Sequence, residues 1–189
     1  MSKEFARGYL DRLAALFEKL SLGQVKEVTD AIFDAYEQGR SIFTMGNGGS
    51  GATASHLACD LNKGVSFGLK KRFRVTCLND SLPIILACAN DLSYRDIFVE
   101  QLKNFLKPDD VVIGLSGSGN SENILKAFKY ASSKKAVTIG MSGFDGGRLA
   151  LLSNISLVVR SKDMQQIEDV HLIVTHIIMQ YFNRKLHEK

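Results

Sequence analysis

Residues Asp110–Phe128, DVVIGLSGSGNSENILKAF, run from an apolar stretch through a glycine and serine turn into a segment with helical spacing. That order describes a strand that becomes a helix across Ser116-Gly117-Ser118-Gly119-Asn120-Ser121. Glycines let the backbone turn tightly. The first N–H groups of the following helix have no internal partners, and the helix dipole favours an anion there. Ser116, Ser118 and Ser121 add hydroxyl donors, so the turn reads as a phosphate cradle that needs no lysine. A second turn of this kind, Gly46-Asn47-Gly48-Gly49-Ser50-Gly51, follows the apolar run Ser41–Met45. Two such turns at the ends of parallel strands can face one crevice and hold a small phosphorylated ligand.

Outward from these turns, short apolar runs near 41–45, 74–78, 110–115, 136–140 and 155–159 alternate with helical patterns near 50–63, 81–105, 121–132 and 146–152. This rhythm predicts an α/β fold with a parallel sheet covered by helices on both faces. Before it, Phe5, Tyr9, Leu10, Leu13, Leu16, Phe17 and Leu20 recur at helical spacing. Ser21-Leu22-Gly23-Gln24 resembles a capping box opening a second helix, which should stop near Gly39. After the sheet, Met164 to about Leu186 reads as one long helix with an apolar stripe of Ile167, Val170, Val174, Ile177, Ile178 and Tyr181. The expectation is a single domain over residues 1–189: an N-terminal helical hairpin over 1–39 used in self-association, then an α/β core and closing helix over 40–189. The wide apolar faces of the first and last helices exceed what a small core covers, which favours a symmetric oligomer.

A chain of 189 residues with 45% apolar and 23% charged residues can build one full core. The start, Met1-Ser2-Lys3-Glu4-Phe5, has no apolar signal core, and no run approaches the roughly 18 apolar residues that span a bilayer. A cytoplasmic protein without membrane partners is expected. Cys59, Cys77 and Cys88 form no CxxC pair and lie among apolar or small neighbours, so they read as buried reduced thiols. Net charge is +4, and the densest basic cluster, Lys70-Lys71-Arg72-Phe73-Arg74, reads as a solvated connection. Nucleic-acid binding would need a broader basic face with interleaved aromatics, and none is expected.

His56 and Asp60 are four residues apart on a predicted helix and share a face. That pair suits a metal site, an acid/base pair or a solvated helix pair. On the last helix Glu168, His171 and His176 follow one another. His171 and His176 differ by about 140° around the axis, so both cannot face one site; His171 reads as a packing histidine.

Gly46-Asn47-Gly48-Gly49-Ser50, Ala89-Asn90-Asp91, Ser116–Ser121 and Gly143-Phe144-Asp145-Gly146-Gly147 together resemble the sugar-isomerase (SIS) domain family, and within it the phosphoheptose isomerases. The likeness covers nearly the whole chain, with its motifs in order. The resemblance implies a three-layer α/β/α sandwich with a five-stranded parallel sheet, a homotetramer, and sites shared between subunits. It implies that Asn47, Gly48, Gly49, Ser50, Asn90, Asp91, Ser116, Gly117, Ser118, Ser121 and Glu168 bind the sugar phosphate. It also implies that His56, Asp60, Glu168 and His176 hold Zn2+ or another divalent metal, with no organic cofactor.

Three positions depart from the family pattern. Gly117 stands where the loop usually has threonine, removing one hydroxyl contact to the sugar. Asp60 is one methylene shorter than the usual glutamate, and Glu168 replaces a neutral glutamine. The implied activity is conversion of sedoheptulose 7-phosphate to D-glycero-D-manno-heptose 7-phosphate through an enediol, for surface-polysaccharide heptose synthesis. Asp60, Glu168 and His176 are the candidate acid/base groups. Alternatives are an isomerase of another ketose phosphate and a non-catalytic regulatory protein that binds a sugar phosphate.

Overall fold

A computed structural model describes residues 2–188. Two helices, α1 (Lys3–Glu18) and α2 (Leu22–Gln38), precede the sheet. The hydroxyl of Ser21 accepts from the Gln24 N–H, while Gln24 Oε1 accepts from the Val158 N–H, so half of the expected capping box is spent on the sheet. Gly39 ends α2 with φ +66°, a left-handed cap that suits glycine.

The core alternates β1 (Ile42–Gly46), α3 (Gly48–Cys59), β2 (Val75–Cys77), α4 (Leu82–Asp91), α5 (Val99–Phe105), β3 (Val111–Ser116), α6 (Glu122–Ser133), β4 (Val137–Gly143), α7 (Gly147–Leu152), β5 (Ile155–Val159) and α8 (Met164–His187). The strands form one parallel sheet in the order β2-β1-β3-β4-β5. Strands buried on both faces need apolar side chains in succession, and the pleat then divides them between two layers. Val111, Ile113 and Leu115 face the layer of α2, α3 and α8; Val112 faces that of α5, α6 and α7. Gly114 is small because Phe128 of α6 lies against it: a Cβ there would come within 2.5 Å of the Phe128 ring. Phe128 is fully buried, and Phe128→Ala should cost about 3–5 kcal/mol. The strand order reverses between β1 and β3, so a crevice opens at their carboxyl ends.

Three sequence expectations need correction. The helix expected over 81–105 is two helices, because Leu92 leaves helical geometry at φ −121°, ψ −91° and Ser93 Oγ donates to Asp96 at 2.6 Å. The break admits Ile97 and Phe98 to the core, whereas α4 has no buried residue. The helix expected over 50–63 gives way at Asp60 to a π-helical turn, Asp60–Val65. Such turns insert an extra residue and often mark functional positions. The thiols are also not all buried: Cys77 is, but Cys59 is exposed and Cys88, packed against the edge of the core, is half-buried. Among the described residues no helix is long and apolar enough to cross a membrane.

Candidate active site

Both glycine-rich turns open where β1 and β3 end. Helix α3 starts at Gly48 and α6 at Glu122, so two helix N-termini point into the same crevice. Neither N-cap residue spends its side chain on its own helix. Asn47 instead exchanges amides with Asn123: Asn47 Nδ2 donates to Asn123 Oδ1 at 3.0 Å, and Asn123 Nδ2 donates to Asn47 Oδ1 at 2.8 Å. Tyr94 Oη also donates to Asn47 Oδ1, at 2.8 Å. Ser121 Oγ lies 3.0 Å from Ser116 Oγ, which leaves both hydroxyls facing the crevice rather than capping α6. Gly119, at φ +65°, makes the turn, and its N–H donates to Ser116 O at 2.9 Å.

The resulting cavity, about 310 Å³, is lined by residues 47–50 and 115–118 with Ser121, Met164 and Glu168. Among the described residues no lysine or arginine lines it, so an anion there would rely on N–H groups, hydroxyls and the two helix dipoles. Across the first turn lies Glu168. Its carboxylate sits so close over Gly49 that a Cβ at that position would collide with it. Asn79 fixes the same turn from below, with Nδ2 donating to Gly46 O at 2.8 Å and Oδ1 accepting from Gly46 N–H at 3.1 Å.

Helices α3 and α8 continue side by side away from this cavity. Gly49 meets Glu168 at one end, and His56 meets His176 at the other, so the two helices run parallel. His56 Nε2 lies 3.0 Å from His176 Nε2 and 3.4 Å from Asp60 Oδ2. Ligand atoms of His56, Asp60 and His176 all fall within 4.8 Å of one another. Asp60 Oδ2 is buried without a hydrogen-bond partner. Two imidazole nitrogens facing each other beside an orphaned carboxylate oxygen fit a divalent transition metal. Among the described residues, three of the four expected ligands, His56, Asp60 and His176, come together. Glu168 precedes His176 by two helical turns, about 12 Å along the axis, and stands instead at the cavity beside the serine turn.

His171 is fully buried, with Nε2 3.2 Å from Ser142 O and Nδ1 unpartnered. Burial pushes its pKa down to about 4, so it is neutral and packs α8 against the end of β4. Asn90 and Asp91 are not brought to the cavity. They end α4 on the exposed side, where Asn90 Nδ2 donates to Asp91 Oδ1 at 2.8 Å. Sequence reasoning missed Asn79, Tyr94, Asn123 and Met164. An asparagine just past a strand end was the available signal for Asn79; nothing local marks Asn123, Tyr94 or Met164, whose partners lie far away in sequence.

A SIS domain profile matches residues 4–143. The phosphoheptose isomerase of Clostridium acetobutylicum is 34% identical over 164 residues, covering 86% of this chain and 83% of that protein. That of Trichlorobacter lovleyi is 33% identical over 188 residues, covering 94% and 91%. Among solved structures, a phosphoheptose isomerase from Francisella tularensis superposes with a TM-score of 0.89 at 23% identity, covering 97% of this chain and all of that one.

Proposed function

The chain belongs to the SIS domain family, alongside the phosphoheptose isomerases, and on that premise we propose that it converts sedoheptulose 7-phosphate to an aldoheptose 7-phosphate. The observation that carries this reading is the spacing along α3 and α8 between the cavity beside Gly49 and Glu168 and the cluster of His56, Asp60 and His176. Seven residues separate Gly49 from His56 and eight separate Glu168 from His176, about 10–12 Å of helix. An extended seven-carbon chain from C1 to its phosphorus has eight bonds, about 10 Å at roughly 1.2 Å of reach per bond. A pentulose phosphate, two bonds shorter, would leave either the phosphate or the carbonyl unplaced.

In this reading the serine turn holds the phosphate and α3 and α8 align the carbon chain, so remote binding energy positions the reacting end. Asp60 removes the proton from C1 while His176 protonates the C2 oxygen, giving the enediol; His176 then takes the proton of the C1 hydroxyl and protonated Asp60 delivers its proton to C2, giving the aldose. Glu168, at the phosphate end, accepts hydrogen bonds from the sugar rather than serving as base. His56, Asp60 and His176 would hold a divalent metal, zinc by its donor chemistry, which supplies polarisation of the carbonyl when bound.

The same reading extends to assembly. Helix α4 is apolar yet exposed, with Leu82, Ile84 and Leu86 on the surface and Asn90 and Asp91 at its end. Helix α1 likewise buries no residue fully. A homotetramer that covers these faces, using helices 1–39, would let Asn90 and Asp91 reach a neighbour's groove. The enzyme would work in the cytoplasm, feeding heptose into a surface polysaccharide.

The test is NMR of sedoheptulose 7-phosphate with the protein in D2O, beside fructose 6-phosphate and ribulose 5-phosphate. Aldoheptose phosphate with solvent deuterium at the exchanging carbon, and a heptulose preference over both shorter sugars, is expected. Asp60→Asn should lower kcat by about 10²–10⁴. Equal turnover of ribulose 5-phosphate would contradict the length argument.

A further inference from the structure

We propose that Met164 is a specificity-determining residue that stands in for a side chain at position 117 and gives the phosphate end of the groove an apolar wall. This rests on the phosphosugar reading above. Gly117 has no positive φ, so its backbone conformation does not require glycine. The space a side chain would take is filled by Met164: a Cβ on Gly117 would meet Met164 Sδ, with the methyl Cε 3.3 Å from the same point, so this flexible thioether would have to move. Both residues line the cavity between the serine turn and Glu168. Met164 opens α8 immediately after Asp163, whose carboxylate accepts from Gln166 N–H, so its backbone is set at a capped helix start while its side chain stays free to turn. Glu168 is one turn further on the same face. Gly117 itself is held, its carbonyl accepting from Gly143 N–H at 2.9 Å, so relief must come from movement of methionine rather than of the turn.

The chemical consequence follows from what each group can offer. A hydroxyl at 117 would donate to and accept from the sugar. The thioether gives contact area and a weak acceptor, and Glu168 beside it only accepts. The sugar carbons next to the phosphate therefore meet no donor from this wall. A site built to pair a substrate hydroxyl rejects analogues lacking it by about 10⁴-fold, whereas an apolar wall discriminates by only about 10–200-fold. The enzyme accordingly tolerates either configuration, or loss, of the hydroxyl nearest the phosphate-bearing carbon, while its length selection remains.

The experiment is a double-mutant cycle. Gly117→Thr, Met164→Ala and the combined variant are compared with the parent for KM and kcat on sedoheptulose 7-phosphate and on its analogue deoxygenated at the carbon next to the phosphate-bearing one. Binding of sedoheptulose 7-phosphate is measured separately by calorimetry, and thermal melts confirm folding. Gly117→Thr alone should weaken heptulose binding by about 10-fold or more, through the clash with Met164. Adding Met164→Ala should restore it to within a few-fold, a coupling expected of residues in contact. The parent should prefer the natural heptulose over the deoxy analogue by less than about 100-fold, and the combined variant should widen that preference by about 10-fold. Additive effects in the binding data, or an unchanged preference ratio in the combined variant, would overturn the proposal. Turnover of no sugar phosphate by the parent would instead overturn the isomerase reading, and the calorimetric cycle would still judge Met164.

Discussion

The two glycine-rich turns have similar sequences and opposite fates. After β1, Gly46 is fastened by Asn79, Asn47 is tied to Asn123 and Tyr94, and Glu168 lies over Gly49. After β3, Ser116 and Ser121 face the cavity with only each other as side-chain partners. A glycine-rich strand-to-helix turn is thus a potential anion site, and what the rest of the chain lays across it decides its use. Here a carboxylate of the protein already occupies the dipole end of α3, and the end of α6 is the one left for a ligand.

The largest effect should come from the open turn. Ser116→Ala/Ser121→Ala removes two hydroxyl donors to a charged phosphate, worth about 1.5–3 kcal/mol each, so affinity for sedoheptulose 7-phosphate should fall about 100-fold or more. Ser50→Ala, in the closed turn, should change it by less than about 3-fold on the same calorimeter. Equal losses would erase the distinction between the turns.

The second effect concerns what holds α8 against the end of β4. Buried His171 has its pKa lowered to about 4 from an ordinary 6.5, so the unfolded chain binds more protons between those values. Stability is therefore present in full above about pH 6.5 and lost as pH falls toward 4. Urea unfolding at pH 7 and pH 5 should show a loss of about 2 kcal/mol from this group, and His171→Gln should show less pH dependence.

A smaller effect is expected at Glu168. Glu168→Gln removes a negative charge from the cavity and should tighten inorganic phosphate binding about 3- to 10-fold, an effect that shrinks with added salt. Unchanged binding would place the phosphate away from that carboxylate. Smallest is Tyr9→Phe. Tyr9 Oη donates to Asp169 at 2.5 Å, joining α1 to α8, and its loss should cost about 1 kcal/mol in thermal or urea unfolding with little change in substrate affinity.

Much of this architecture was legible because period and punctuation are local signals. Alternating apolar strands, Gly39 and the serine turn mark themselves, and all five strands fall where apolar runs predict them. Helix 81–105 misled because apolar spacing continues through Leu92–Phe98, while the break depends on the backbone at Leu92 and a Ser93 to Asp96 bond. His56, Asp60 and His176 come together across 120 residues, a convergence that the family resemblance implied and that spacing alone left open. Glu168 lies apart from this cluster for a geometric reason: eight residues on a helix keep a face but separate the side chains by two turns. Met164 was invisible because its role depends on empty space at Gly117, and a glycine does not announce what fills its place.

The most direct measurement is a crystal structure of the Asp60→Asn protein with sedoheptulose 7-phosphate. The phosphate is expected against Ser116, Ser118 and Ser121 at the start of α6, with C1 and C2 beside position 60 and His176. A phosphate seated on Gly48–Ser50 at the start of α3, or a sugar carbonyl turned away from His176, would contradict it.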